Sequence, residues 1–364
     1  MSRTLRYGII GTGMMGVEHV HNLQALDGVE VAALCDPDAG SLATARALAP
    51  GASCYEDHAA LLAGGGVDAL VVATPNMTHV DILLDVVETG LPVLVEKPLC
   101  TTVPDCLRVI EAAGPDAMVW VGLEYRYMAA IAGLIDAVAA GTVGPVRMVA
   151  IREHRFPFLD KVGDWNRFSA NTGGTLVEKC CHFFDLMNLI TAARPVRVMA
   201  SGAQDVNHLD KVHDGRTPDI LDNAYVIVDF DSGARGMLDL CMFAEATRNQ
   251  EEVSVVGDLG KVEALVPDSV VRTGIRGRHR IGDVDETPVV NHGVRHQGLH
   301  HGSSYIEHVR FRDAVLSGTG PESDLKAGLW SVAVGVAAHL SIEEERPVGV
   351  DEVMAGSEDC GNHG

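Results

Sequence analysis

Positive charge is scarce in this chain: 28 Lys and Arg stand against 50 Asp and Glu, a formal net charge of −22 over 364 residues. Such a field repels phosphate backbones and anionic membrane surfaces over roughly 10 Å. Nucleic acid and membranes are therefore not expected as partners, and a neutral polyol or sugar is a more natural guest than a strongly anionic one. The eight cysteines form no C-x-x-C pair and keep no regular spacing, so they read as reduced, mostly buried thiols rather than a disulfide framework. No apolar run of 18 residues stands out, and Met1–Tyr7 leads straight into a strand pattern with no apolar stretch before a cleavage site. The expectation is a cytoplasmic protein. Internal repeats and low-complexity linkers are missing as well.

What is present is a globular composition, 47% hydrophobic and 21% charged, on a chain longer than one core usually serves. Short apolar runs alternate with helical patterns in the first third: Tyr7–Ile10, Val29–Cys35, Ala69–Ala73, Pro92–Val95 and Met118–Leu123. Runs apolar on every residue suit strands covered on both faces, so the N-terminal part is expected to be α/β, a doubly wound parallel sheet of Rossmann type. Beyond Gly144-Pro145 come longer β-rich stretches, with Asp231-Ser232-Gly233 as a hairpin turn. These predict an α+β C-terminal domain with a large, mostly antiparallel sheet. The expected division is 1–125, 126–350 and a polar tail, 351–364. Leu325–Ile342 reads as an amphipathic helix packed on a sheet.

Gly11-Thr12-Gly13-Met14-Met15-Gly16 follows the first strand, and Asp36 closes the second. Gly11 permits the tight turn, Gly13 lets backbone approach a pyrophosphate, and Gly16 lets helix pack on strand. Asp36 would accept from the adenosine ribose hydroxyls and repel a 2′-phosphate, favouring NAD over NADP. Thr74 and Asn76 follow the third apolar run, where ligands of open α/β sheets bind; Asn76 reads equally as a helix N-cap.

Two residues point to chemistry. Lys97 follows the run Val93-Leu94-Val95, and about eighty residues later Gly173-Gly174 precedes Glu178 and His182. An ammonium can hydrogen-bond a developing alkoxide, and an imidazole titrating near neutrality can take the alcohol proton. A helix over 175–188 would place Glu178 and His182 on one face, with Asp185 a turn further on. Trp165 and Asn166 read as lining for a sugar pocket or as junction residues. Ser304-x-x-Glu307 reads as a capping box, with Tyr305 in the first turn facing the substrate. His292, His296 and His300 recur every four residues, but Gly293, Gly298 and Gly302 interrupt any helix that would align them, so no metal site is expected.

Taken together, Gly11–Gly16, Ala73-Thr74-Pro75-Asn76 with His79, Glu96-Lys97-Pro98, and Gly173-Gly174 followed by His182 resemble the glucose–fructose oxidoreductase / inositol dehydrogenase / rhizopine catabolism family of NAD(P)-dependent oxidoreductases. The likeness runs from Leu5 to about Val348. It implies that His79, Glu96 and Lys97 belong to the cofactor site, that Lys97 lies by the nicotinamide, and that the Lys97–Pro98 peptide is cis. Glu124 and Arg126 would lie near the substrate, although an inter-domain ion pair is an equal reading. The second sheet would join subunits into a homodimer or homotetramer. The family usually has aspartate where this chain has Glu178. The resemblance implies oxidation of a secondary hydroxyl of a sugar, cyclitol or related polyol. The alternatives are a glycoside-modifying enzyme with retained NAD that oxidises C3 transiently, and a non-catalytic dinucleotide-binding regulator.

Overall fold

The computed structural model describes residues 4–355. The apolar runs that open the chain form a parallel sheet with helices between its strands. In chain order these elements are β1 (Leu5–Ile10), α1 (Met14–Gln24), β2 (Val29–Cys35), α2 (Ala39–Leu48), β3 (Ser53–Tyr55) and α3 (His58–Gly64). They continue as β4 (Ala69–Val72), α4 (His79–Glu88), β5 (Val93–Glu96), α5 (Val103–Ala113) and β6 (Val119–Gly122). Every residue of β4, β5 and β6 is buried, as strands covered on both faces require. The strand order 3-2-1-4-5-6 reverses direction between β1 and β4, so a crevice opens beyond the carboxyl ends of those strands. Asp38, Asp57 and Thr102 cap α2, α3 and α5 with side-chain oxygens, whereas α1 starts at Gly13 with no side-chain cap.

Next come α6 (Ala129–Ala139), β7 (Val146–His154), α7 (Ser169–Thr172), α8 (Thr175–Glu178), α9 (Cys181–Thr191) and β8 (Pro195–Ala203). The second sheet is completed by β9 (Asn223–Phe230), β10 (Arg235–Cys241), β11 (Glu251–Gly257), β12 (Gly260–Val266), β13 (Val270–Ile275) and β14 (Asp285–Pro288). The chain ends with α10 (Ser303–Ser317), α11 (Leu325–Glu344), β15 (Val348–Gly349) and α12 (Val350–Ala355). The nine strands run 14-13-12-11-7-10-9-8-15, antiparallel except for the β7–β10 pair, which is parallel. Buried residues alternate with exposed ones along β9 and β10, leaving one face packed on helices and one open.

Several local expectations give way to tertiary structure. Strands β3, β13, β14 and β15 carry no strong apolar pattern; β14, Asp-Glu-Thr-Pro, is wholly exposed. The helix expected over 175–188 is interrupted at Lys179-Cys180, giving α8 and α9. Asn76 does not cap a helix; its side chain goes to Glu178. No capping box opens α10: Gly302 is the N-cap, and the Glu307 carboxylate accepts from Trp120 Nε1 at 3.1 Å. Helix α11 is long and apolar enough to cross a membrane by length and composition; here it packs on α9 and β8, with Val332, Val334 and Ala337 buried. The expected tail is helical through Ala355, and its remainder, 356–364, lies outside the described residues. The seven described cysteines are free.

Helix α10 returns from the second sheet to the first layer. Phe311 meets Tyr7 edge-on at 6.2 Å and Trp120 at 6.0 Å between centroids, contacts worth about 0.5–1.5 kcal/mol each beyond area burial.

Candidate active site

One cavity of about 760 Å³ runs from the carboxyl ends of β1 and β2 to the break between α8 and α9. Gly11, Gly13, Met14, Met15, Asp36, Thr74, Asn76, Glu96, Lys97, Trp165, Asn166, Glu178 and His182 all line it.

At its first end the backbone is shaped for a dinucleotide. Gly11 has φ +91°, and a Cβ there would lie 2.6 Å from the Ala73 carbonyl. A Cβ on Gly13 would meet nothing within 4 Å, so that position faces open space above the uncapped N-terminus of α1. Orphan N–H groups facing such space suit a pyrophosphate. Asp36 Oδ2 accepts from Thr12 N at 2.6 Å and Thr12 Oγ1 at 3.1 Å, while Oδ1 accepts from Asp38 N at 2.8 Å. Thr12 is thus buried and acts by holding Asp36. Asp38, Glu56 and Asp57 add further acid to this end, which suits ribose hydroxyls and opposes an extra phosphate.

At the other end three elements converge. The Lys97–Pro98 peptide is cis. The Lys97 ammonium donates to the main-chain carbonyl of Glu178 at 3.0 Å and lies 3.6 Å from its Oε1. Lys161 approaches the same oxygen at 3.8 Å, and Asn76 Nδ2 donates to Oε2. Burial opposes charge on Lys97 most strongly, but Glu178 first, then Cys181, Glu96 and Glu124, together outweigh burial and hold the amine above its usual range. Burial likewise opposes charge on Glu178, and Lys97 and Lys161 reverse the outcome, so its carboxyl titrates below its usual value.

His182 stacks on Tyr125 with centroids 4.1 Å apart and planes at 9°. Burial first, then the positive charges of Lys97 and Lys179, press its pKa well below the ordinary imidazole value, so the ring is neutral at neutral pH. The Tyr125 hydroxyl accepts from Lys179 at 2.6 Å, and Lys179 pairs with Glu153 at 2.9 Å. Gly173 and Gly174 set the approach to α8 with φ +81° and +84°. A Cβ on Gly173 would lie 2.7 Å from Thr101 O, and one on Gly174 would overlap the His339 ring. His339 accepts from Leu176 N at 3.1 Å.

Other sequence candidates stand back from the cavity. His79 is buried with its ring nitrogens against Pro98 O at 2.8 Å and Thr74 O at 3.1 Å, bracing the two cavity loops. Arg126 forms a bidentate pair with Asp185, its Nε donating at 2.6 Å, and so takes the ion-pair role. Tyr305 turns away to the Ala25 carbonyl at 3.4 Å. Glu124 lies behind His182. The three spaced histidines do not gather: His296 pairs with Glu18, and His300 reaches Glu124 and the cavity. Sequence reasoning missed Tyr125, Lys161, Lys179, Arg155, Glu251 and His300 as cavity lining. The charged neighbours of Glu178 and the unusual histidine density before α10 were the available hints.

Two family models match the chain. One, described as oxidoreductase family, NAD-binding Rossmann fold, covers residues 5–123; the other, described as oxidoreductase family, C-terminal alpha/beta domain, covers 135–350. Inositol 2-dehydrogenase 2 of Saccharopolyspora erythraea is 31% identical over 282 residues, 76% of this chain and 78% of the relative. Myo-inositol 2-dehydrogenase of Thermotoga maritima is 28% identical over 354 residues, 96% and 100% of the two chains. Among solved structures, an oxidoreductase domain protein from Kribbella flavida shares the fold with a TM-score of 0.83 at 22% identity, covering 96% of this chain and 100% of that one.

Proposed function

The chain belongs to the oxidoreductase family that joins an NAD-binding Rossmann domain to a C-terminal α/β domain, and is a dehydrogenase acting on CH–OH groups; on that premise we propose that it oxidises a secondary hydroxyl of a cyclitol or related polyol. When bound, NAD supplies the hydride acceptor. Lys97, kept as an ammonium, donates to the reacting oxygen and stabilises the charge that develops there. His182, kept neutral, takes the hydroxyl proton. Glu178, fixed by Asn76 and flanked by two lysines, accepts from a neighbouring hydroxyl. Trp165 and Asn166 offer a ring face and an amide for the C–H and O–H surfaces of the guest. The names of the two inositol dehydrogenases support a cyclitol.

The observation that carries this reading is that Lys97 and His182 line the same cavity as Gly13 and Asp36. The test is incubation with NAD and a panel of inositols and sugars, reading NADH absorbance and the ketone product. No NADH with any polyol, under conditions where NAD binds, would refute it. Release of an aglycone with retained NAD and no net NADH would favour the glycoside-modifying alternative.

The same proposal includes self-association through the open face of the second sheet. Met199, Ile227 and Met237 are register neighbours across β8, β9 and β10, and all are exposed, as are Tyr225 and Met148 on that sheet. A contiguous apolar patch of this kind on a flat sheet suits a two-fold contact with a second copy.

A further inference from the structure

Beneath the substrate end of the cavity lies a buried group of acids and imidazoles of which the proposed chemistry uses only His182. Glu96, Glu124 and Glu307 are there, with His19, His182, His300 and His308 around them. Glu124 stands between two of the rings. Its Oε1 is 3.8 Å from His182 Nε2 and 3.4 Å from His300 Nδ1, while its Oε2 is buried with no hydrogen-bond partner. The two rings differ in access. His182 is 2% exposed in its side chain and His300 is 22% exposed on the cavity wall.

We propose that Glu124 passes the substrate proton from His182 to His300, which delivers it to water in the cavity; this rests on the dehydrogenase reading above. The alcohol O–H bond breaks as an N–H bond forms on His182 Nε2, and the C–H electron pair leaves as the hydride of the oxidation. That N–H bond then breaks as an O–H bond forms on Glu124 Oε1. Burial first, then Lys179, hold the His300 pKa down to about 3, so the ring is not charged as an intermediate: the proton moves to His300 Nδ1 as His300 Nε2 releases one to water in the same step. Both gaps exceed hydrogen-bond length and close with sub-ångström movement, as catalytic contacts commonly do when substrate binds. Stacking on Tyr125 keeps the His182 ring in place, and the same tyrosine lies 6.0 Å from the His300 ring.

The charged surroundings suit a carboxyl that both takes and gives a proton. Burial first, then the Glu96 charge, push the Glu124 pKa up to about 8, while Lys97 and Lys179 pull the other way. Glu307 of α10 faces it as a further acid, and Cys181 of α9 lies within its field. Below that pH Glu124 holds a proton that it can return to His182 during ketone reduction. Above it the carboxylate accepts the proton released by oxidation.

Glu124→Gln keeps the shape but cannot carry a proton. We expect kcat for oxidation to fall roughly tenfold or more, with KM for polyol and NAD within about twofold, and the rise in rate through weakly alkaline pH to vanish. His300→Ala opens a site on the cavity wall, and added imidazole should restore part of its lost kcat. In the protein without substrate or NAD, histidine NMR titrations of His182 and His300, assigned with single variants, should show coupled steps that separate in Glu124→Gln. A Glu124→Gln enzyme with parental kcat and pH profile would overturn the relay. So would independent titrations in the parent protein, or a His300→Ala defect indifferent to imidazole. A parent protein that reduces no NAD with any polyol would instead refute the dehydrogenase substrate reading, leaving the NMR coupling to judge the relay.

Discussion

The Lys97 ammonium donates to the main-chain carbonyl of Glu178 at 3.0 Å, where the chain passes from α8 to α9. A carbonyl at a helix end lacks an intrahelical donor, and this one receives a cation from the neighbouring layer. The contact fixes the amine beside the Glu178 carboxylate and couples the parallel sheet to the end of α8, just before the helix α9 that carries His182.

Lys97→Met is expected to lower kcat by about a hundredfold or more, the size typical of losing a donor to a developing oxyanion. NAD affinity should stay nearly intact, because the glycine turn and Asp36 lie at the other end of the cavity. Steady-state kinetics together with a fluorescence titration of NAD separate the two.

The acidic limb that His182 sets in kcat/KM for oxidation, distinct from the alkaline rise in kcat assigned to Glu124, is expected well below pH 6.5, the ordinary imidazole value. A depressed pKa leaves His182 unprotonated, hence competent as a base, until pH falls through that lowered value. In Lys97→Met the limb should move upward, since one of the charges that depresses His182 is gone. A pH profile of kcat/KM in parent and variant measures both.

Asp36→Ser removes a carboxylate that holds Thr12 N and meets the ribose end of the cavity. NAD binding should weaken by about 1.5–3 kcal/mol, the worth of hydrogen bonds to a charged group. The ratio of NADP to NAD use should rise as the repulsion falls. Calorimetric titration with each dinucleotide gives the answer directly.

Gly174→Ala should destabilise the fold by about 1–3 kcal/mol through its left-handed φ alone, with overlap on the His339 ring added to that. The thermal melting midpoint is expected to drop, and residual activity to fall with it.

Ile227→Lys on the exposed sheet face should shift sedimentation toward the monomer while leaving the melting of secondary structure close to the parent. The residue is 42% exposed, so its replacement opens no cavity.

Where meaning is carried by local spacing, the sequence was readable. The glycine turn, the acid after β2 and the apolar strands β4 to β6 all follow from periodicity over short windows. The bond from Thr12 to Asp36 spans 24 residues and could not be read that way. Local patterns also mislead when a distant partner competes. Ser304 and Glu307 have capping-box spacing, but Trp120 takes the glutamate. Arg126 was open between substrate and ion pair, and Asp185, 59 residues away, decides it. Lys161 and His300 reach the cavity on irregular segments, where no period exists to reveal a direction.

The return of α10 to the first layer limits how this chain can be cut. A fragment ending near residue 125 would leave Tyr7 and Trp120 without Phe311, and Glu307 would no longer accept from the indole. Swapping nucleotide-binding halves between relatives at a single junction would therefore mismatch a wall of the donor half. A working hybrid has to carry two separated stretches of sequence together, the first layer and α10, because each completes the packing of the other.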